Sequence, residues 1–167
     1  MSKPTVYVDT NILSSLYYQG ADTDALIRRS TTREWWDTER PFFLVFASKT
    51  VESELAAGEY PGKERALSEV RRLPYLPPLP AVKEITDRLL GLQIVPASKP
   101  NDAIQLAFAT AHGIDYLLSW NRAHLVNEET QTKLTRLREA TGWRPPLLVS
   151  PATIPKVALG QSVRRRT

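Results

Sequence analysis

Apolar positions along this chain fall into two rhythms. Short, nearly continuous runs at 6–8, 42–46, 116–118 and 147–149 have the length and the β-branched or aromatic content of buried strands. Elsewhere the apolar residues return every three or four positions, which predicts helices over 11–18, 23–39, 48–57, 63–73, 81–92, 100–112 and 127–141. Gly58 and Gly113 stand where C-terminal caps belong. The stretch RRLPYLPPLP predicts one further short strand, which its prolines confine to an edge. Strands alternating with helices favour crossover connections, and unbroken apolar strands suit a parallel sheet covered on both faces. The expected fold is α/β, a three-layer α/β/α sandwich around a mainly parallel sheet.

The sequence has 167 residues, enough for one domain, and its 13 prolines fall between periodic segments and not within them. No repeat or low-complexity linker divides it. The expected organisation is one domain over 1–155, followed by a basic tail over 156–167. There is no cysteine, which removes structural disulfides, thiolate metal sites and cysteine nucleophiles together. Any metal must be held by oxygen or by one of two histidines. The formal charge of +4 owes three of its positives to the terminal SVRRRT, so the rest is close to neutral. Such a tail adds non-specific phosphate attraction at most. No segment has the apolar length of a signal peptide or membrane span. A soluble cytoplasmic protein is expected.

Polar residues at the strand ends change the picture. VYVDTNIL places Asp9 where the first strand stops and Asn11 where a helix begins, and parallel sheets bind ligands outside the carboxyl ends of their strands. Glu54 lies in the helix after PFFLVF, near the edge of the buried side defined by Val51, Leu55 and Ala47. Asp102 borders the apolar stripe of Ala103, Ile104, Ala107, Phe108 and Ala111, close to a helix N-terminus opened by Pro100. Asn121 follows another strand, DYLLSW, with His124 and Asn127 nearby.

Each residue has an ordinary reading: Asp9 as a helix cap, Asp102 as a partner of the helix dipole, Glu54 and Glu52 as solvated boundary residues, the asparagines as turn caps, His124 as a packed side chain. Together the acids read differently. Several carboxylates at one sheet edge repel one another without a compensating cation, and a hard divalent ion with oxygen ligands is the natural counter-charge. Such an ion activates water and polarises phosphoryl oxygens. The implied chemistry is metal-assisted phosphodiester hydrolysis.

The segments VYVDTNILSSL, FASKTVESELAAGEY, KPNDAIQLAFATAHGIDYLLSWNRAHLVN and PPLLVS resemble, in order and spacing, the PIN-domain ribonucleases, especially the toxin members of VapBC-type toxin–antitoxin pairs. The resemblance runs from about Val6 to Ser150. It implies a central parallel sheet, an acidic pocket binding Mg2+ or Mn2+, and endonucleolytic cleavage of RNA. Asp9, Glu54 and Asp102 match the family's metal-binding acids, and Asn11 matches the residue that orders the first of them. Glu52 competes with Glu54. Glu54 is the choice, because it stands just ahead of the small-residue turn ending in Gly58. Asn121 occupies the position where many members carry a further aspartate, which weakens a second metal site and leaves one-metal and two-metal catalysis both open. Thr10 is expected to orient Asp9 or Asn11, while Asn121 and His124 support the pocket or position substrate.

The resemblance also implies a cognate antitoxin and a homodimer. Trp35 and Trp36, in REWWDTER after LIRRSTTR, read either as packed indoles or as an aromatic and arginine surface for a base or a protein partner. Two other functions stay open. One is a PIN-like scaffold that binds RNA or protein without cutting, its site blunted by Asn121. The other is a phosphoryl-transfer hydrolase with an aspartyl nucleophile, which needs a second acid where Asn11 stands and a lysine for which only Lys99 is placed. No glycine-rich phosphate loop follows the first strand, which disfavours a nucleotide-binding α/β enzyme.

Overall fold

Four short strands, β1 (Thr5–Val8), β2 (Leu44–Phe46), β3 (Tyr116–Leu118) and β4 (Leu147–Val149), form one sheet in the order β2-β1-β3-β4. Every pairing is parallel: Val6 lies opposite Val45 on one side and Tyr116 on the other, and Tyr116 lies opposite Leu147. The structure is a computed structural model describing residues 2–157, so the terminal arginines Arg164, Arg165 and Arg166 lie outside the described residues. Helices flank the sheet, and the buried β1 and β3 have the cover on both faces that their unbroken apolar runs require. The three-layer α/β/α reading therefore holds.

Strand β2 begins later than its apolar run, because Arg40–Phe42 forms a 3-10 turn containing Pro41. The further strand expected in RRLPYLPPLP shrinks to one bridge between Ala47 and Tyr75. There Ala47 donates to the Pro74 carbonyl at 3.1 Å and accepts from Leu76 at 2.9 Å. It extends the sheet beyond β2, at the edge to which prolines are confined.

The helices are α1 (Thr10–Leu16), α2 (Thr23–Glu34), α3 (Lys49–Ala56), α4 (Lys63–Val70), α5 (Pro80–Gly91), α6 (Pro100–Ala111) and α7 (Glu128–Thr141). The chain runs from β1 outward to β2, then returns to lay β3 on the opposite side of β1. This reversal makes the gap between the carboxyl ends of β1 and β3 a topological switch point, where α/β sheets bind ligands. Among the described residues no helix is long and apolar enough to cross a membrane.

Two helices depart from their apolar rhythm. The predicted helix over 23–39 is α-helical only to Glu34 and then widens into a π-helical turn at Trp35–Glu39. Widening lets both adjacent indoles turn inward. Trp35 packs at 5.6 Å on Phe43, and Trp36 donates to Glu69 at 3.0 Å beneath the Arg40 guanidinium. Both are buried, so the aromatic binding surface considered from the sequence is replaced by core packing. Helix α6 packs against α5 and is buried from Ala103 through Thr110 except at Ile104. A single apolar stripe understated this burial, because α6 is enclosed on more than one side.

Candidate active site

Asp9 follows β1 directly and occupies the N-cap position of α1, with its backbone still extended. Its own amide continues the strand ladder, donating to the Leu118 carbonyl at 3.0 Å. The side chain is almost fully buried and accepts three hydrogen bonds. Oδ1 takes the Thr10 amide at 2.7 Å, and Oδ2 takes the Ser119 hydroxyl at 2.6 Å and the Asn11 side-chain amide at 3.1 Å. A simple cap accepts from the second or third helical amide, whereas here the carboxylate turns toward β3. Asn11 completes the link, since its Oδ1 accepts the Trp120 amide at 2.9 Å and its Nδ2 also reaches Ser119 Oγ at 3.1 Å. Asn11 thus bonds Asp9 and ties it to the residues after β3.

Burial pushes the Asp9 carboxyl up to about 6, with the Ser119 bond opposing and the charges of Asp102 and Glu54 adding to the rise. Asp102 and Glu54 are therefore both within electrostatic reach of Asp9. Glu54 arrives from α3, where Val51 and Leu55 are buried and set the helix face. Its Oε1 accepts the Thr10 hydroxyl at 3.1 Å and the Gln105 side-chain amide. Thr10 consequently steers Asp9 with its backbone and Glu54 with its hydroxyl, and makes no hydroxyl bond to Asn11. Glu52 faces elsewhere, with Lys49 at 3.1 Å, Arg71 at 3.2 Å and the Tyr75 hydroxyl at 2.9 Å. Those bonds hold its carboxyl below the usual range. Glu52 is a structural anchor rather than the solvated residue expected.

Asp102 lies in the first turn of α6, and its Oδ2 accepts the Asn121 side-chain amide at 3.1 Å. Burial raises its carboxyl, while His124, the Asn121 bond and Lys99 pull it down. Asn121 is itself held: its backbone amide donates to Ser119 Oγ at 3.0 Å and its Oδ1 accepts the His124 amide at 3.0 Å. An open cleft of about 430 Å³ carries Glu54, Asp102, Asn121, His124 and Lys99 on its wall, with Asn101 and Ser98 beside them. Among the described residues no three His, Asp or Glu side chains stand close enough together to cage an ion. Glu54 and Asp102 face the cleft, and the buried Asp9 lies behind its wall, joined to Glu54 through Thr10 and to Asn121 through Ser119.

Asp9, Thr10, Asn11, Glu54, Asp102, Asn121 and His124 thus lie in or beside one site, while Glu52, Trp35 and Trp36 lie outside it and Asn127 caps α7 through Thr130 at 2.8 Å. Two members were missed. Ser119 is fully buried between Asp9 and Asn121, and its place immediately after β3 was the available signal. Gln105, at 1% exposure, gave no signal, because a glutamine within a helix reads as surface.

The PIN domain family model matches residues 6–125. Among solved structures, the chain is similar to one in VapBC-1 from nontypeable Haemophilus influenzae, at 16% identity and TM-score 0.54, covering 89% of this chain and 99% of that one. It is also similar to one in FitAcB from Neisseria gonorrhoeae, at 13% identity and TM-score 0.51, with 89% and 99% covered. A chain of FitAB bound to an IR36 DNA fragment matches at 12% identity and TM-score 0.51, with 91% and 99% covered. At these identities the likeness concerns the fold. No curated protein sequence matches.

Proposed function

The chain belongs to the PIN domain family, and on that premise we propose that it is a metal-dependent endoribonuclease hydrolysing RNA phosphodiester bonds, the toxin of a toxin–antitoxin pair. The observation that carries the reading is the hydrogen-bond network that joins the three acids, Thr10 linking the buried Asp9 to Glu54 and Ser119 with Asn121 linking it to Asp102. Negative charge gathered in this way calls for a cation. The donors are all carboxylate oxygens, with amide and hydroxyl groups behind them, which suits Mg2+ or Mn2+ and not a thiophilic metal. Asp9, Glu54 and Asp102 would hold it partly through bound water, since among the described residues the acids do not close on one point and Mg2+ keeps several of its waters. When bound, such an ion supplies Lewis acidity to the phosphoryl group and eases deprotonation of water.

The protein's own part is positioning. Ser119, Asn11 and the Thr10 amide fix both oxygens of Asp9, and Asn121 fixes Asp102. Glu54 has one oxygen tied to Thr10 and Gln105, which leaves the other available to a cation. Lys99 and His124 on the cleft wall place donors where a phosphate enters. The absence of a carboxylate at Asn121 lowers the charge available to a second ion and favours a single-ion site.

The likeness to chains of VapBC-1 and FitAB supports a cognate antitoxin as partner, and a homodimer belongs to the same reading. A cytoplasmic location follows from that role. The test is cleavage of single-stranded and structured RNA by purified protein in Mg2+, Mn2+ or EDTA, with Asp9→Asn and Asp102→Asn alongside. Cutting that needs metal and falls at least ~100-fold in both variants is the expected result. Folded wild type that binds RNA yet cuts nothing under any of these conditions would favour the non-cutting scaffold.

A further inference from the structure

We infer that Gln105 is a positioning residue that sets Glu54 for cation binding, an inference resting on the nuclease reading above. Its side chain is 1% exposed, inside a helix whose neighbours are apolar. Nε2 donates to Glu54 Oε1 and lies 3.3 Å from Thr10 Oγ1, and the Thr10 hydroxyl donates to the same Glu54 oxygen at 3.1 Å. Glu54 Oε1 therefore takes two donors, and among the described residues no hydrogen bond engages Oε2. The pair selects which oxygen remains free.

The amide's orientation carries the argument. Gln105 Oε1 is buried without a hydrogen-bond partner, an arrangement that proteins avoid unless something else outweighs it. Turning the amide over would set Oε1 against the Glu54 carboxylate, oxygen against oxygen. The charge-assisted bond to Glu54 holds the amide in place at the expense of its own carbonyl. A glutamine kept for packing alone would have no reason to aim its donor at a charge.

Placement adds a second line. Gln105 sits three residues after Asp102, on the adjoining turn of α6 and the same side of the helix. Thr10 adjoins Asp9 at the start of α1, and Glu54 comes from α3. One buried amide thus joins the three elements that carry the three acids. Its removal should loosen the spacing of the acids without emptying the core.

The experiment is a double-mutant cycle read by Mn2+ binding, using calorimetry on the full chain at one pH, with melting temperature as the check of folding. Gln105→Met keeps the volume and removes the amide. Gln105→Asn, one methylene shorter, is the second variant should methionine perturb folding. The expected result is Mn2+ affinity weakened ~10-fold or more by either change, with less than about a twofold further loss when the change is made in Glu54→Gln. Equal losses in both backgrounds would mean that Gln105 acts through general packing, and the inference fails. Unchanged affinity in Gln105→Met, with binding still abolished by Asp9→Asn, would overturn this inference and leave the nuclease reading standing. Wild type that binds no Mn2+ would overturn both.

Discussion

The Asp9 carboxyl is the residue on which folding and function pull in opposite directions. Its pKa stands at about 6, against an ordinary 3.8, so between these values the folded chain binds a proton that the unfolded chain has released. Stability is therefore gained as pH falls through 6 toward 3.8 and lost as pH rises through 6. In chelator at neutral pH, the buried charge costs on the order of 1–3 kcal/mol. Asp9→Asn should accordingly stabilise the metal-free protein at pH 7.5 by about 1–3 kcal/mol, with the advantage shrinking as the solution is acidified. Urea melts across a pH series in EDTA measure this directly, and a variant less stable than wild type at pH 7.5 would refute it. Asp9, Asn11 and Asn121 were legible because a strand end is a recognisable address for polar groups. Ser119 shares that address but reads as a turn residue, and Gln105 has no address at all until α6 is seen to be enclosed.

Among the elements, β3, β4 and the long helices α5, α6 and α7 were the most legible, and the second helix and the strand expected in RRLPYLPPLP the least. Runs such as Tyr116 to Leu118 admit one burial pattern in a parallel sheet, so their limits fell where the chain predicted. The second helix did not, because the chain widens at Trp35–Glu39, where two adjacent tryptophans are both buried. Tertiary packing decided what local periodicity could not. The segment between β3 and α7 is another case, since it carries Asn121 and His124 and is closed by Asn127. Asn127 accepts the Thr130 amide at 2.8 Å and donates to the Arg122 carbonyl at 2.9 Å, so one side chain both starts α7 and ties back the preceding loop. Asn127→Ala should cost about 1 kcal/mol of stability in urea melts. It should also speed hydrogen exchange at Thr130 and lower RNA cleavage more than melting alone explains. Exchange at Thr130 equal to wild type would place the cap's importance elsewhere.

At the scale of the whole molecule, the order β2-β1-β3-β4 explains why acids distant in sequence meet. Asp9 comes from the β1 end, Glu54 from α3 and Asp102 from α6, and the sheet's switch point draws all three toward one cleft. The fold holds like charges together, so a cation that neutralises them should bind the folded chain far better than the unfolded one. Binding of that kind stabilises by mass action, about 2.7 kcal/mol at a hundred times the dissociation constant. For a domain of this size that corresponds to a rise in melting temperature of roughly 5–10 °C. The expected outcome is such a rise with saturating Mn2+, a smaller one with Mg2+ at equal concentration, and return to the starting value in EDTA. Ca2+ at the same ionic strength controls for general screening of charge. Asp9→Asn should melt higher than wild type without metal and respond least to it, because the substitution removes the repulsion and the ligand together. A wild-type melting temperature indifferent to Mn2+ would mean that the protein carries its buried charge without a cation to answer it, and the hydrolytic reading would lose its physical basis.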